Sequence, residues 1–326
     1  MGELMILVDL LDPLEVKGIK LKNRIVMPPM ATGLATNRGA VTDSLIEHYV
    51  RRSKALGLLI VEHSYVLQGG KLSERQLGIY DNSLVSGLRK LTDSIHAMGT
   101  PIVIQINHAG MLGIEPVAPS PSEGVRELQE QEIRVLVDAF AAAAERAIMA
   151  GFDGVDIHGA HGFLLCQFLS PLTNKRRDKY GGSLENRMRL PLEIVGEVRK
   201  RVGEKIVLYR LGSVDLDPAG TKIKDSQMFA KKLQKAGIDI IDVSGGMCGS
   251  RPAKFQDIQG YFVPQAQQIK NVVDIPVIGV GGIRDPEYAN RFLHKGQVDL
   301  VAVGRSLLKD PDWATKAIRI LEESAT

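Results

Sequence analysis

One pattern recurs along the chain: a short, nearly unbroken aliphatic run, then a longer stretch with apolar positions at helical spacing. Eight such runs occupy residues 24–28, 58–62, 101–106, 154–158, 206–210, 240–244, 276–279 and 300–304. Their β-branched, almost continuous character predicts strands covered on both faces, as in a parallel sheet clothed by helices. The stretches between and after them predict helices over 43–55, 82–98, 129–150, 183–202, 225–236, 261–270, 285–295 and 310–323. Gly99, Gly151, Gly203, Gly237 and Gly296 stand just past the ends of five of these, where a helix commonly hands over to a residue of positive φ.

Eight alternations are the number that closes a (β/α)8 TIM barrel of the α/β class. The competing architecture, an open doubly wound sheet, would favour a glycine-rich fingerprint after its first strand. The chain instead reads Ala31-Thr32-Gly33-Leu34-Ala35-Thr36 there, which is not G-x-G-x-x-G. Residues 16–21, with a turn at Lys17-Gly18, predict an N-terminal hairpin suited to plug the bottom of the barrel. No linker or compositional shift divides the sequence, so a single domain over residues 1–326 is expected.

Composition narrows the function classes. At 44% hydrophobic and 24% charged, the chain is an ordinary globular sequence rather than a disordered one. A net charge of +3, with dispersed basic residues, argues against a nucleic-acid partner. No run of ~20 apolar residues predicts a membrane span. Residues 1–9 carry Glu3 where a secretory leader would carry a base, and Ile6 where a myristoylation signal would carry Ser or Thr. Cys166 and Cys248 are too few for a disulfide framework, a four-cysteine zinc site or a cysteine-ligated iron–sulfur cluster, although one disulfide stays formally open. A cytoplasmic location follows as the expectation.

A parallel barrel carries its chemistry at the C-terminal ends of its strands. Two groups of residues stand there. Gly279-Val280-Gly281-Gly282 after the seventh run and Gly304-Arg305 after the eighth suit a phosphate held by backbone N–H groups and a guanidinium; alternatively, these glycines only turn the chain. Arg210, closing the fifth run, is a second cation for an anionic ligand or one half of a structural ion pair. The other group is His158-x-x-His161 after the fourth run. A pair of neutral imidazoles can hold a carbonyl or phenolate oxygen. A metal site competes, with Glu62 or His63 reachable only through the fold, and two solvated loop histidines remain the plain alternative.

Longer motifs surround these residues: residues 151–162, from Gly151-Phe152-Asp153-Gly154 through His158-Gly159-Ala160-His161-Gly162; Gln167-Phe168-Leu169-Ser170-Pro171; Asp178-Lys179-Tyr180-Gly181-Gly182-Ser183; Glu185-Asn186-Arg187; residues 23–30; and residues 105–110. In these the chain resembles the flavin-dependent ene-reductases of the Old Yellow Enzyme family, from Leu11-Asp12-Pro13-Leu14 to Leu308-Lys309-Asp310-Pro311. The resemblance implies bound FMN on top of the barrel, NADH or NADPH as hydride source, a small activated alkene as substrate, and no metal; a homo-oligomer is expected. It implies that Pro28, Pro29, Met30 and Ala31 back the flavin, that His63 touches it through its backbone, and that Gln105 bonds its pyrimidine edge. Arg210 is implied near N1 and O2, and Gly281, Gly282, Gly304 and Arg305 at the phosphate. His158 and His161 are the implied catalytic pair, gripping the substrate's activating oxygen.

Three departures from the family pattern touch the substrate side. Ala31 stands where Thr or Cys is common. Phe163 stands where a proton-donating Tyr is usual. A small aromatic near Gly33 is missing, which opens the substrate side beside Gly33 and Phe163. Tyr65, after the second run, is the nearest substitute donor by loop position. With no cysteine after Cys248, the chain is expected to carry neither the iron–sulfur cluster nor the second nucleotide-binding region of larger relatives. The resulting expectation is FMN-dependent reduction of an activated C=C bond. The alternatives are an FMN dehydrogenase or diaphorase using another acceptor or an electron-carrier partner, and a non-catalytic flavin-binding protein.

Overall fold

The computed structural model describes residues 7–255 and 257–324; residues 1–6, which carry much of the argument against a leader, lie outside them. The chain opens with an antiparallel hairpin of β1 (Leu14–Val16) and β2 (Ile19–Leu21). In order there follow β3 (Ile25–Met27), α1 (Asp43–Ser53), β4 (Leu58–Tyr65), α2 (Val85–His96), β5 (Ile102–Asn107), the short β6 (Val117–Ala118) and β7 (Arg126–Glu127), and α3 (Glu130–Met149). Then come β8 (Gly154–Gly159), α4 (Leu164–Leu169), α5 (Leu184–Val202), β9 (Ile206–Gly212), α6 (Ile223–Ala236) and β10 (Ile240–Ser244). The chain finishes with α7 (Val263–Lys270), β11 (Val277–Val280), α8 (Pro286–His294), β12 (Leu300–Ala302), α9 (Arg305–Lys309) and α10 (Trp313–Ser324).

Strands β3, β4, β5, β8, β9, β10, β11 and β12 pair in that order and close a parallel barrel, β12 meeting β3. Each corresponds to one of the eight predicted runs, and the closed (β/α)8 architecture is the one the sequence pattern predicts. The near-continuous hydrophobicity has a simple cause. Alternate residues of each strand point to opposite faces, and both faces are dry. Inward positions Val26, Leu58, Ile60, Val103, Ile206, Leu208, Ile240, Ile278 and Leu300 fill the barrel, and Val16 and Leu21 of the hairpin join the same cluster. Their neighbours Ile25, Leu59, Ile104, Val155, Val207 and Ile241 face the helices in a separate, larger core.

Two residues above this aliphatic filling, the inward positions turn polar. Val103 is followed two places on by Gln105, Leu208 by Arg210 and Ile240 by Asp242. The strand register sets Gln105 beside Asp156 and Arg210 beside Asp242. This polar layer is the floor on which the functional site rests.

Candidate active site

A cavity of about 850 Å³ opens above the polar layer, at the C-terminal ends of the strands. Pro28, Pro29, Met30 and Ala31, on the segment leaving β3, form one apolar wall. His63, Gln105, His158, His161, Phe163 and Arg210 line another part, and Gly281, Gly282, Gly304 and Arg305 a third. The fold thus brings together fourteen of the fifteen candidate cofactor and substrate residues, from seven separate strands. Gly33 is the exception: it does not line the cavity, and it holds a φ of +66° with open space around it.

Each wall is held by identifiable contacts. Gln105 donates through Nε2 to Asp156 Oδ2 at 2.8 Å, which leaves its Oε1 for the cavity. The His63 ring lies 2.8 Å from Gln76 Nε2 through Nδ1, and the same amide donates to the His63 carbonyl at 2.9 Å. Arg210, 4% exposed, has one ionic partner among the described residues, Asp242, with Nε 3.3 Å from Oδ2.

The two glycine-bearing loops are shaped by close approach. Gly281 adopts a φ of +127°, and a Cβ there would lie 2.8 Å from both the ring and the backbone of Tyr261. Gly282, at φ +65°, sits where a Cβ would come within 3.2 Å of Arg305 Nη2. Both positions need glycine for backbone conformation, and Gly281 for space as well. Arg305 opens α9, and its one hydrogen-bonding contact among the described residues is Tyr261 Oη, at 3.4 Å. Its guanidinium is therefore available to a ligand anion.

The histidine pair is tightly built. His158 projects inward from β8 beside Arg210 on β9. His161 holds a φ of +57°, a left-handed conformation that is costly outside glycine. Its N–H donates to the Gly245 carbonyl at 3.0 Å, and its ring Nε2 lies 2.7 Å from Ser244 Oγ. Ser244 Oγ has no other partner among the described residues, so the two groups are paired whichever of them donates. The two imidazoles meet edge to face at 5.1 Å. Burial, then His161, Arg210 and His63, hold His158 well below the usual imidazole range. Burial, then Arg210 and His63, do the same to His161. Both are neutral at physiological pH, which suits hydrogen bonding to a substrate oxygen. The Phe163 ring packs 4.8 Å from His158 and 5.2 Å from His63.

Two expectations need correction. Tyr65 does not reach the cavity; it stacks on Tyr80 at 5.0 Å, with its hydroxyl turned toward Gly39. Nor does Glu62 approach the histidines, because its carboxylate accepts from the Thr32 N–H and the Tyr49 hydroxyl, both at 3.2 Å. Among the described residues no group of three or more His, Cys, Asp or Glu side chains comes together to hold an ion. Sequence reasoning also missed Tyr261, Arg251, Arg284 and Lys309, which line the cavity near the glycine loops. Ser244 ends a predicted strand, yet nothing local marks it as the partner of a histidine 83 residues away.

A cavity with an unclaimed guanidinium at one end, an apolar shelf along one side, and an amide oxygen and a second guanidinium on its floor fits a phosphorylated, flat, heteroaromatic cofactor. Comparisons with known proteins agree. The family model of the NADH:flavin oxidoreductase / NADH oxidase family matches residues 9–323. The chain is 42% identical over 318 residues to an NADH oxidase of Thermoanaerobacter brockii, covering 91% of this chain and 48% of that protein, so it spans about half that relative's length. It is 41% identical over 305 residues to an NADPH dehydrogenase of Clostridium acetobutylicum, covering 90% of this chain and 89% of the relative. Among solved structures, an Old Yellow Enzyme homologue from Zymomonas mobilis superposes with a TM-score of 0.83 at 29% identity, covering 98% of this chain and 93% of that one.

Proposed function

Since the chain belongs to the NADH:flavin oxidoreductase / NADH oxidase family, whose fold binds FMN, we propose that it reduces an activated C=C bond, such as that of an α,β-unsaturated carbonyl, with NADH or NADPH as the electron source. When bound, FMN supplies the hydride acceptance and donation. The chain's own residues do the rest. Arg305 and the Gly281–Gly282 and Gly304 loops would hold the phosphate, Pro28 to Ala31 would back the ring, and Gln105 Oε1 and Arg210 would meet its polar edge. His158 and His161 would donate hydrogen bonds to the substrate carbonyl oxygen, drawing charge toward it and leaving the β-carbon electrophilic.

The observation that carries this reading is the neutral histidine pair. His161 is held in a strained backbone conformation with its ring anchored on Ser244, and both rings line the same cavity as the apolar shelf. Preorganised donors of this kind are worth building where charge develops on an oxygen. Anaerobic reduction of the protein by NADH or NADPH, followed by reoxidation with a cyclic enone, a maleimide or a nitroalkene, tests it. Return of the oxidised flavin spectrum with formation of the saturated product is the expected result.

A second reading rests on Phe163. Its ring has the position of a proton donor beside His158 but no O–H. A flavoprotein whose acceptor needs no carbon protonation, such as a diaphorase or a protein feeding an electron carrier, would not need one. If the reduced protein is reoxidised by quinones or dyes and by none of the alkenes, this reading replaces the first.

A further inference from the structure

Beneath the cavity, the polar layer holds more acid than its contacts explain. Asp156 on β8 and Asp242 on β10 are both fully buried, with β9 and its Arg210 between them. Arg210 is the single cation of this layer. Asp242 is the one in ionic contact with it, at 3.3 Å. Asp156 touches the Gln105 amide instead, at 2.8 Å. Three carboxylate oxygens, Asp156 Oδ1 and both of Asp242, have no hydrogen-bond partner among the described residues, and neither does Arg210 Nε.

Two ionised carboxylates facing one guanidinium in a dry interior would leave an uncompensated buried negative charge, which is among the costliest arrangements in a protein. The layer avoids it if one acid keeps its proton. The other titratable groups around it, His63, His158 and His161, are neutral and supply no further cation. Contact decides which acid is charged: Asp242 faces the guanidinium, and Asp156 faces a neutral amide.

We propose that Asp156 and Asp242 are a charge control for the bound cofactor: Asp242, ionised, offsets Arg210, while Asp156 stays neutral and fixes the Gln105 amide with its oxygen toward the cavity. The inference rests on FMN occupying the cavity. Burial and the nearby Asp242 charge push Asp156 up to about 8 against the opposing pull of Arg210 and the Gln105 amide; burial also raises Asp242, and there Arg210 alone opposes it. The consequence concerns reduced FMN, which carries more negative charge than oxidised FMN. A bare Arg210 would favour the reduced form strongly; Asp242 tempers that preference.

Because the pair shares one proton, removing Asp242 alone lets Asp156 ionise in its place. The decisive comparison is therefore Asp156→Asn against the double variant Asp156→Asn with Asp242→Asn. Asp156→Asn should leave the preference for reduced over oxidised FMN within about twofold of the parent, since it replaces one neutral group by another. The double variant should raise that preference by about tenfold, a midpoint potential about 30 mV more positive for a two-electron couple. A flavin-loaded double variant with unchanged potential overturns the proposal, as does an equal rise in Asp156→Asn alone. Protein that retains no flavin would instead count against the cofactor reading. Infrared spectroscopy of the parent protein decides the proton directly, with or without flavin and without the double variant. A protonated-carboxyl stretch at neutral pH that disappears in Asp156→Asn is expected; a spectrum from which that substitution removes no such stretch overturns the proposal.

Discussion

At position 163 a phenyl ring, 7% exposed, packs against His63 and His158 where the family pattern has a phenol. The ring's packing is thus retained and its acidity removed. Proton transfer by a positioned side chain contributes ~10²–10⁴-fold when that step limits the rate. Phe163→Tyr should therefore speed reoxidation of the reduced flavin by weakly activated enones, by at least about tenfold, and leave reduction by NADH or NADPH nearly unchanged. Stopped-flow traces of the two half-reactions separate these effects, and an equal rate for cyclic enones in parent and variant would place the proton donor elsewhere. With Tyr65 turned away into its stack with Tyr80, the last protonation in the parent falls to water or another group. At this scale His158, His161 and Phe163 were legible in the sequence because one short motif holds all three. The Ser244 hydroxyl that anchors the His161 ring was not, because its partnership exists only through the closure of β8, β9 and β10 into one wall.

Among the elements, the barrel strands were the easiest to read, because burial on both faces writes itself as uninterrupted aliphatic sequence. The short helices were hidden for the opposite reason. α4 has six residues, all buried, and so shows no apolar–polar period; α9 has five, fewer than two turns. β4 runs on past its aliphatic part through Glu62, His63 and Ser64, with a register shift against β5 between Val61 and Ser64 that polar sequence does not announce. The missed α9 matters functionally, since it brings Arg305 back over the Gly281–Gly282 turn. A charge-assisted contact from that guanidinium to a phosphate is worth ~1.5–3 kcal/mol. Arg305→Ala should accordingly weaken FMN retention by about tenfold to a hundredfold, read by flavin fluorescence after dilution. Gly281→Ala should also weaken it by a comparable factor, because its new Cβ must push Tyr261 or the turn aside. Undiminished retention in both variants would remove the phosphate from these loops.

For the whole molecule, the same burial that keeps the site's imidazoles neutral links folding to pH. Burial, with Arg210 second, holds His63 down to about 4, and burial alone does the same to His108; His158 and His161 lie well below the ordinary value of 6.5. A histidine depressed in the folded state binds its proton more readily when unfolded. Its contribution is present above pH 6.5 and is lost as pH falls toward the folded value of about 4. Asp156, raised to about 8, and Asp242 and Glu62, also raised, act in the other direction, since the folded protein holds their protons more tightly. Their contribution is full below the unfolded carboxylate range and is lost as pH rises. The parent stability curve is therefore a sum of opposing slopes, and a single acid transition would not reveal any one residue. A difference between two proteins does. His108 is 5% exposed, lies outside the cavity wall, and accepts the Gly110 N–H at 3.1 Å through Nδ1, so replacing it spares the site. His108→Gln should lower stability at pH 7 through lost packing. Yet it should lose less than the parent on acidification from about pH 7 to about pH 4, by up to roughly 3 kcal/mol, the linkage equivalent of moving from 6.5 to about 4. Urea unfolding of both proteins at closely spaced pH values measures that difference. Parallel curves would mean that His108 titrates normally in the folded barrel.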